Sequence, residues 1–194
     1  MFFSKKTTIL ALLSGCLLTL SWPVSGFSFL IFFGLIPLLL LEHIISNDQK
    51  KRKKIRLFGN AFLCFFTWNL GTTWWIINSS VFGMFFAVIC NTLFYTILIL
   101  LFNWSKRRLP LRTAYIFLVT LWISFEKFHL QWDFSWPWLN LGNVFSEDIQ
   151  WIQWYEYTGI FGGSLWILII NIGVFEVLKN YPPNFKNSTW IVKL

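Results

Sequence analysis

The run VFGMFFAVICNTLFYTILILLF, Val81–Phe102, decides the architecture. It carries no charged residue over a length that, as an α-helix rising 1.5 Å per residue, crosses the roughly 30 Å hydrocarbon core of a bilayer. Its flanks differ in kind. Asn78-Ser79-Ser80 precedes it, whereas Lys106-Arg107-Arg108 follows it closely. Working outward, five more apolar runs read as spans: Thr7–Trp22, Phe27–Ile45 and Leu57–Ile77 before it, Thr113–Leu130 and Gly159–Leu178 after it. The turns Pro23-Val24-Ser25-Gly26 and Asn78-Ser79-Ser80 separate neighbouring runs and hold no Lys or Arg.

Composition points the same way. Of 194 residues, 56% are hydrophobic, 21% aromatic and 12% charged. A soluble domain carries about twice that charged fraction, and a disordered or collagenous chain far less apolar side chain. The expected fold is therefore all-α: a polytopic integral membrane protein of about six transmembrane helices over residues 1–178. A short interfacial outer segment, 131–158, is expected between the fifth and sixth. Residues 179–194 read as a polar tail or as the start of a seventh span cut short, since Thr189–Leu194 turns apolar again. No internal repeat or linker divides the chain.

The net charge of +8 would suit a nucleic-acid binder, but its distribution does not. Lys5 and Lys6, the stretch Lys50–Arg56, the stretch Lys106–Arg112, and Lys179, Lys186 and Lys193 place all but Lys127 in every second loop. This is the positive-inside pattern, not a basic face, and no nucleic-acid partner is expected. Both termini are then expected in the cytoplasm. Five of the eight acidic residues, Glu126, Asp133, Glu147, Asp148 and Glu156, lie at or beyond the outer boundary. So do Trp22, Trp74, Trp75, Trp132, Trp136, Trp138, Trp151 and Trp154, eight of the thirteen tryptophans, at the depth indole rings prefer. Within the outer segment Ser146 reads as the cap of a short helix, with Glu147 and Asp148 in its first turn and Ile149, Ile152 and Tyr155 along one face.

Few residues carry chemistry. Lys5-Lys6 and an apolar run ending Leu13-Ser14-Gly15-Cys16 have the form of a lipoprotein signal. The residues after Cys16 stay apolar where a lipidated cysteine would lead into a polar tether, so an uncleaved first helix is the preferred reading. Cys16, Cys64 and Cys90 have no metal-ligand spacing and read as buried free thiols. Glu126 falls about 20 Å along its span, where a bare carboxylate costs about 2–3 kcal/mol. It is either a structural group hydrogen-bonded to neighbouring helices or part of a lipid or substrate site. A metal site from Glu126, His129 and Asp133 lacks a second ligand pair, and no metal or cofactor is expected. Phe134–Asn143 (FSWPWLNLGN) sets Pro137 between two indoles and Asn140 and Asn143 around a glycine. It reads as a rigid aromatic re-entry at headgroup depth, able to grip an acyl chain, or as an interfacial anchor. The Gly159-x-x-Gly162-Gly163-Ser164 cluster suits close helix packing.

At these residues the chain resembles the membrane-embedded N-terminal part of bacterial apolipoprotein N-acyltransferase. The matching pieces are Leu17–Phe27, Gly34–Leu40, Gly59–Ile77, Trp122–Glu126, Ser135–Asn143 and Tyr157–Ser164 leading into Ile170-Asn171. The resemblance implies transfer of an acyl chain from a phospholipid donor to the N-terminal amine of diacylglyceryl-cysteine in lipoproteins. In that family the acyl group passes through a thioester on a Cys served by Glu and Lys, in a nitrilase-like domain outside the membrane that follows a seventh span. No residue here matches that triad, so no catalytic residue is assigned and this chain alone is expected to be inactive. What carries over is a supporting, lipid-binding role for Glu126, Trp136, Pro137, Trp138 and Asn140. Two other readings are a stand-alone six-span lipid-binding or scaffold protein acting with a separate catalytic chain, and a small transporter. The transporter would want ionisable residues at the midplane in repeated halves, which the sequence lacks.

Overall fold

The computed structural model describes residues 4–23 and 26–180, and all regular structure among them is helical. The α-helices are α1 (Lys5–Leu20), α2 (Ile31–Gly34), α3 (Ile36–Asn47), α4 (Lys53–Thr73), α5 (Val81–Ser105), α6 (Leu111–His129) and α7 (Tyr155–Asn180). Val24 and Ser25 of the first expected turn lie outside the described residues. So do Lys186, Lys193 and the apolar run Thr189–Leu194. Three helical stretches are long and apolar enough to cross a membrane: Ser28–Asn47, Val81–Ser105 and Tyr155–Asn180.

The chain packs as a bundle in which α1 lies along α4, α4 along α5, and α3 and α6 close against α7. The α1–α4 contact is tight because Gly15 has no side chain. A Cβ there would stand 2.5 Å from the Cys64 carbonyl oxygen, so the backbones could not approach as they do. Ser14, one residue earlier, donates its hydroxyl to the Gly34 carbonyl at 2.5 Å and fixes α1 against α2. Between α4, α5 and α6 sits an aromatic core: Tyr95 lies 5.0 Å from Trp68, 5.2 Å from Trp122 and 5.4 Å from Phe65 between ring centroids. Tilted and edge-on contacts of this kind suit the ring quadrupoles.

The second expected span is not one continuous helix. Pro37 has no N–H to give to Phe33, and the ladder opens at Leu35. Asn171 of α7 fills the opening: its Oδ1 accepts the Leu35 N–H at 2.9 Å, and its Nδ2 donates to the Ile31 carbonyl at 2.9 Å. One amide thus stands in for the missing Leu35-to-Ile31 bond, the kind of repair a helix break needs where water is absent.

Other elements depart from the sequence expectations in instructive places. α4 ends at Thr73, and Trp74–Asn78 tightens into a 3₁₀ turn in place of a last helical turn. α7 begins at Tyr155, not at Gly159, and kinks where Gly159 takes φ 63° and ψ −172°. The short helix expected after Ser146 is absent. Ser146 closes a 3₁₀ turn, Leu141–Phe145, and only a three-residue turn, Ile149–Trp151, follows. Asp148 instead accepts a hydrogen bond from Ser28, which ties the outer segment to the start of the second hydrophobic stretch.

Candidate functional site

The segment after α6 is short 3₁₀ turns and irregular backbone that nevertheless lies buried: Leu139, Asn140, Leu141, Val144 and Phe145 are each at most 1% exposed. Such backbone persists only if its polar groups find partners. Four side chains from three helices provide them. Tyr95 of α5 donates to the Leu139 carbonyl at 3.0 Å. Glu126 of α6 accepts the Leu141 N–H at 2.8 Å. Ser164 of α7 accepts the Gly142 N–H at 3.0 Å, and Tyr155 donates to the Gly142 carbonyl at 3.0 Å. Within the segment Asn143 donates to the Pro137 carbonyl at 2.6 Å. Gly142 and Gly163 meet where no side chain fits, since a Cβ on Gly163 would stand 3.0 Å from the Gly142 Cα and 1.6 Å from the Tyr155 hydroxyl. The small-residue cluster therefore packs α7 against this loop.

Glu126 is fully buried. Its Oε1 takes the Leu141 N–H and, one turn back on its own helix, the Trp122 indole N–H at 3.1 Å. Its Oε2 is buried and, among the described residues, has no partner at hydrogen-bond geometry, although the Ser164 hydroxyl faces the same carboxyl group. The carboxyl thus spends itself on backbone and indole and lines none of the cavities described below. His129 shares the helix face but points elsewhere, stacking on Phe125 at 4.9 Å. Among the described residues no three His, Cys, Asp or Glu side chains gather where a metal would sit.

Beside the locked loop opens a cavity of about 730 Å³, within the range of small-molecule sites. Pro137, Trp138 and Asn143 form one wall; Thr19, Leu20 and Trp22 at the end of α1, and Thr72–Trp75 at the end of α4, form the others. Trp138 is half exposed and meets Trp75 edge-on at 5.9 Å, so two indoles stand together at its edge.

The five residues singled out from sequence separate accordingly. Pro137 and Trp138 line this cavity. Trp136 lines a second, aromatic cavity of about 280 Å³ with Phe94, His129 and Trp132. Glu126 and Asn140 are buried behind the loop and line neither. The wall from α1 and α4 was missed in sequence, although Trp74 and Trp75 carried a signal as paired indoles at a span end. Tyr95 was missed outright, because a tyrosine in mid-span looks like any aromatic core residue. The cysteines are free, as expected, but only Cys64 is buried; Cys90 is intermediate and Cys16 is exposed on the outside of α1.

Among the described residues, fold and site together make an apolar helical bundle with a buried, side-chain-locked loop beside a cavity of small-molecule size. The apolipoprotein N-acyltransferase N-terminal domain family matches residues 14–173, and the chain belongs to it. It is 30% identical over 172 residues to the apolipoprotein N-acyltransferase of Chlorobaculum tepidum, covering 87% of this chain and 31% of that protein. It is 25% identical over 188 residues to that of Geobacter metallireducens, covering 91% of this chain and 34% of the relative. The chain thus spans about a third of the length of the curated relatives it matches. No solved structure matches it.

Proposed function

We propose that these residues form the membrane-embedded part of an apolipoprotein N-acyltransferase, the enzyme that moves an acyl chain from a phospholipid to the N-terminal amine of a lipoprotein's diacylglyceryl-cysteine. Six spans cross the inner membrane, the basic loops face the cytoplasm, and the 131–158 segment faces out. The cavity walled by Trp75 and Trp138 holds an acyl chain at outer headgroup depth. Glu126, Tyr95 and Ser164 hold the loop that shapes it, and Asn140 and Trp136 support it from behind. The acyl-transfer nucleophile belongs to a catalytic domain of the family, not to Cys16, Cys64 or Cys90. Cys64 is sealed in the core, and Cys16 lies within the apolar run of α1, ten residues beyond Lys6, where the sequence supplies no basic neighbour to activate a thiolate.

The observation that carries this reading is the juxtaposition itself. A family match over residues 14–173 coincides with a loop whose buried backbone is tied down by four side chains beside a lipid-sized cavity. Such rigidity is what positioning a flexible chain requires, because a misplacement of about 1 Å costs on the order of 100-fold in rate. The test is photolabelling in proteoliposomes with a phospholipid bearing a diazirine in its acyl chain. Label should concentrate on Trp74, Trp75 and Trp138, and Ser146→Trp, which fills the cavity from its exposed rim, should abolish it. Label spread evenly over the outer faces of α5 and α6, unaffected by Ser146→Trp, would remove the cavity from the reaction.

A further inference from the structure

At the other end of the bundle, where α3, α5 and α7 finish and α6 starts, a third cavity opens, polar and of about 280 Å³. His43, Asn103, Lys106, Arg107, Tyr115 and Lys179 line it. Its chemistry differs from the outer cavity: three cations converge on it from two different segments of the chain.

The acids at this end are already committed. Glu42 is 1% exposed and holds Lys106 at 2.5 Å, while its other oxygen accepts from Asn103 at 2.6 Å and Ser46 at 2.7 Å. Glu176 holds Lys179 at 2.6 Å and accepts from Tyr115. Asp48 holds Arg56 at 2.7 Å, away from the cavity. Arg107 reaches only a neutral acceptor, the Asn103 amide oxygen at 2.8 Å, and among the described residues it meets no carboxylate. Arg108, the next residue, lies over the Trp104 ring at 4.3 Å instead of against an acid. The cavity therefore keeps a net positive charge, with a planar five-donor group at its rim and a buried Asn103 amide fixing that group's orientation. A guanidinium so placed matches the oxygen fork of a phosphate. Basic cavities between helices on the positive side of membrane proteins are suited to such headgroups.

We propose that this cavity binds a phosphate-bearing anion, with Arg107 as the principal contact and Lys179 and Lys106 beside it. The anion has two sources: the headgroup of an anionic phospholipid in the basic leaflet, or free phosphate from solution. This site is separate from the outer cavity and does not rest on the acyl-transfer reading.

Native mass spectrometry of the detergent-purified full chain tests it, with dioleoylphosphatidylglycerol, dioleoylphosphatidylcholine and inorganic phosphate as separate probes. Lys106→Gln is avoided because it would strand the buried Glu42. Arg107→Gln keeps a hydrogen bond to Asn103 and removes only charge; Lys179→Gln is the second variant. Lys51→Gln removes the same charge from the same end of the molecule without touching the cavity. One basic residue near an anionic headgroup is worth about a fivefold change in retention. Phosphatidylglycerol retained over phosphatidylcholine, reduced about fivefold by Arg107→Gln and unchanged by Lys51→Gln, identifies the lipid as the source. Retention of inorganic phosphate with the same dependence, and no preference between the lipids, identifies free phosphate. Retention of neither, or equal loss in Arg107→Gln and Lys51→Gln, overturns the site.

Discussion

Glu126 shows how a single buried group is read from sequence and what sequence leaves open. A lone carboxylate two-thirds of the way along an apolar span had to be satisfied by something. Hydrogen bonding to neighbouring structure and service in a lipid site were both open readings. The geometry places it against the Leu141 N–H and the Trp122 indole, behind the loop. Its replacement by Gln should therefore be mild, because an amide oxygen still accepts both donors and the amide nitrogen can meet the Ser164 oxygen. Replacement by Ala strands two buried donors, at about 1–3 kcal/mol each. Thermal unfolding in detergent should show Glu126→Gln close to wild type and Glu126→Ala clearly lower. Equal loss in the two variants would mean that the charge, not the acceptor, is what the loop needs.

At the scale of elements, two irregularities position the site, and they differ in how legible they were. The break at Leu35 had a visible cause in Pro37, but its repair came from Asn171, 136 residues along the chain. No local pattern encodes that pairing; only the packing of α7 on α2 brings the amide to the gap. Likewise the capped helix expected after Ser146 did not form. Asp148 was committed to Ser28, and the backbone of 139–142 to Tyr95, Glu126, Ser164 and Tyr155; tertiary partners outcompeted a weak local helix. The kink at Gly159 gives a clean test. Its φ of 63° with ψ −172° lies where only glycine is at ease, yet a Cβ there would touch nothing within 4 Å. Gly159→Ala should cost about 1–3 kcal/mol through backbone strain alone. A variant as stable as wild type in a denaturant titration would show that the kink is dispensable. The loop between α3 and α4 offers a test by pH. The Lys50 backbone N–H, and then the Arg56 guanidinium, hold the Asp48 carboxyl below its ordinary range. Because the folded value is the lower one, the pair contributes above the unfolded value of about 4 and is lost as pH falls through the folded value. The stability gap between wild type and Asp48→Asn should therefore be present at neutral pH and close in acid, as pH falls through the lowered folded value. A gap that persists in strong acid would mean that it does not come from the carboxylate's charge.

The whole molecule is polarised, and that asymmetry joins the two cavities into one picture. Indoles, a rigid loop and an apolar cavity gather at one end; Arg107, Lys179 and the basic loops gather at the other, where Glu42, Asp48 and Glu176 are each taken up by a cation. This much of the design was written in the order of the residues, because charge bias and helix length act locally, segment by segment. The walls of the cavities were not, since each is assembled from segments that only folding brings together. The polarity makes a prediction about orientation. In a background with Cys16, Cys64 and Cys90 replaced by Ser, a single cysteine at the exposed Gln150 and another at the exposed Lys51 report on opposite ends of the bundle. An impermeant maleimide applied to intact spheroplasts should label Gln150→Cys at once and Lys51→Cys only after the membrane is permeabilised. Six spans with cytoplasmic termini require that contrast, since an even number of crossings returns the basic loops to one side. Labelling of Lys51→Cys alone would mean that α1 does not cross, and labelling of neither position before permeabilisation would mean that α4 or α6 does not. The outer cavity would then have to be sought on the other face of the membrane.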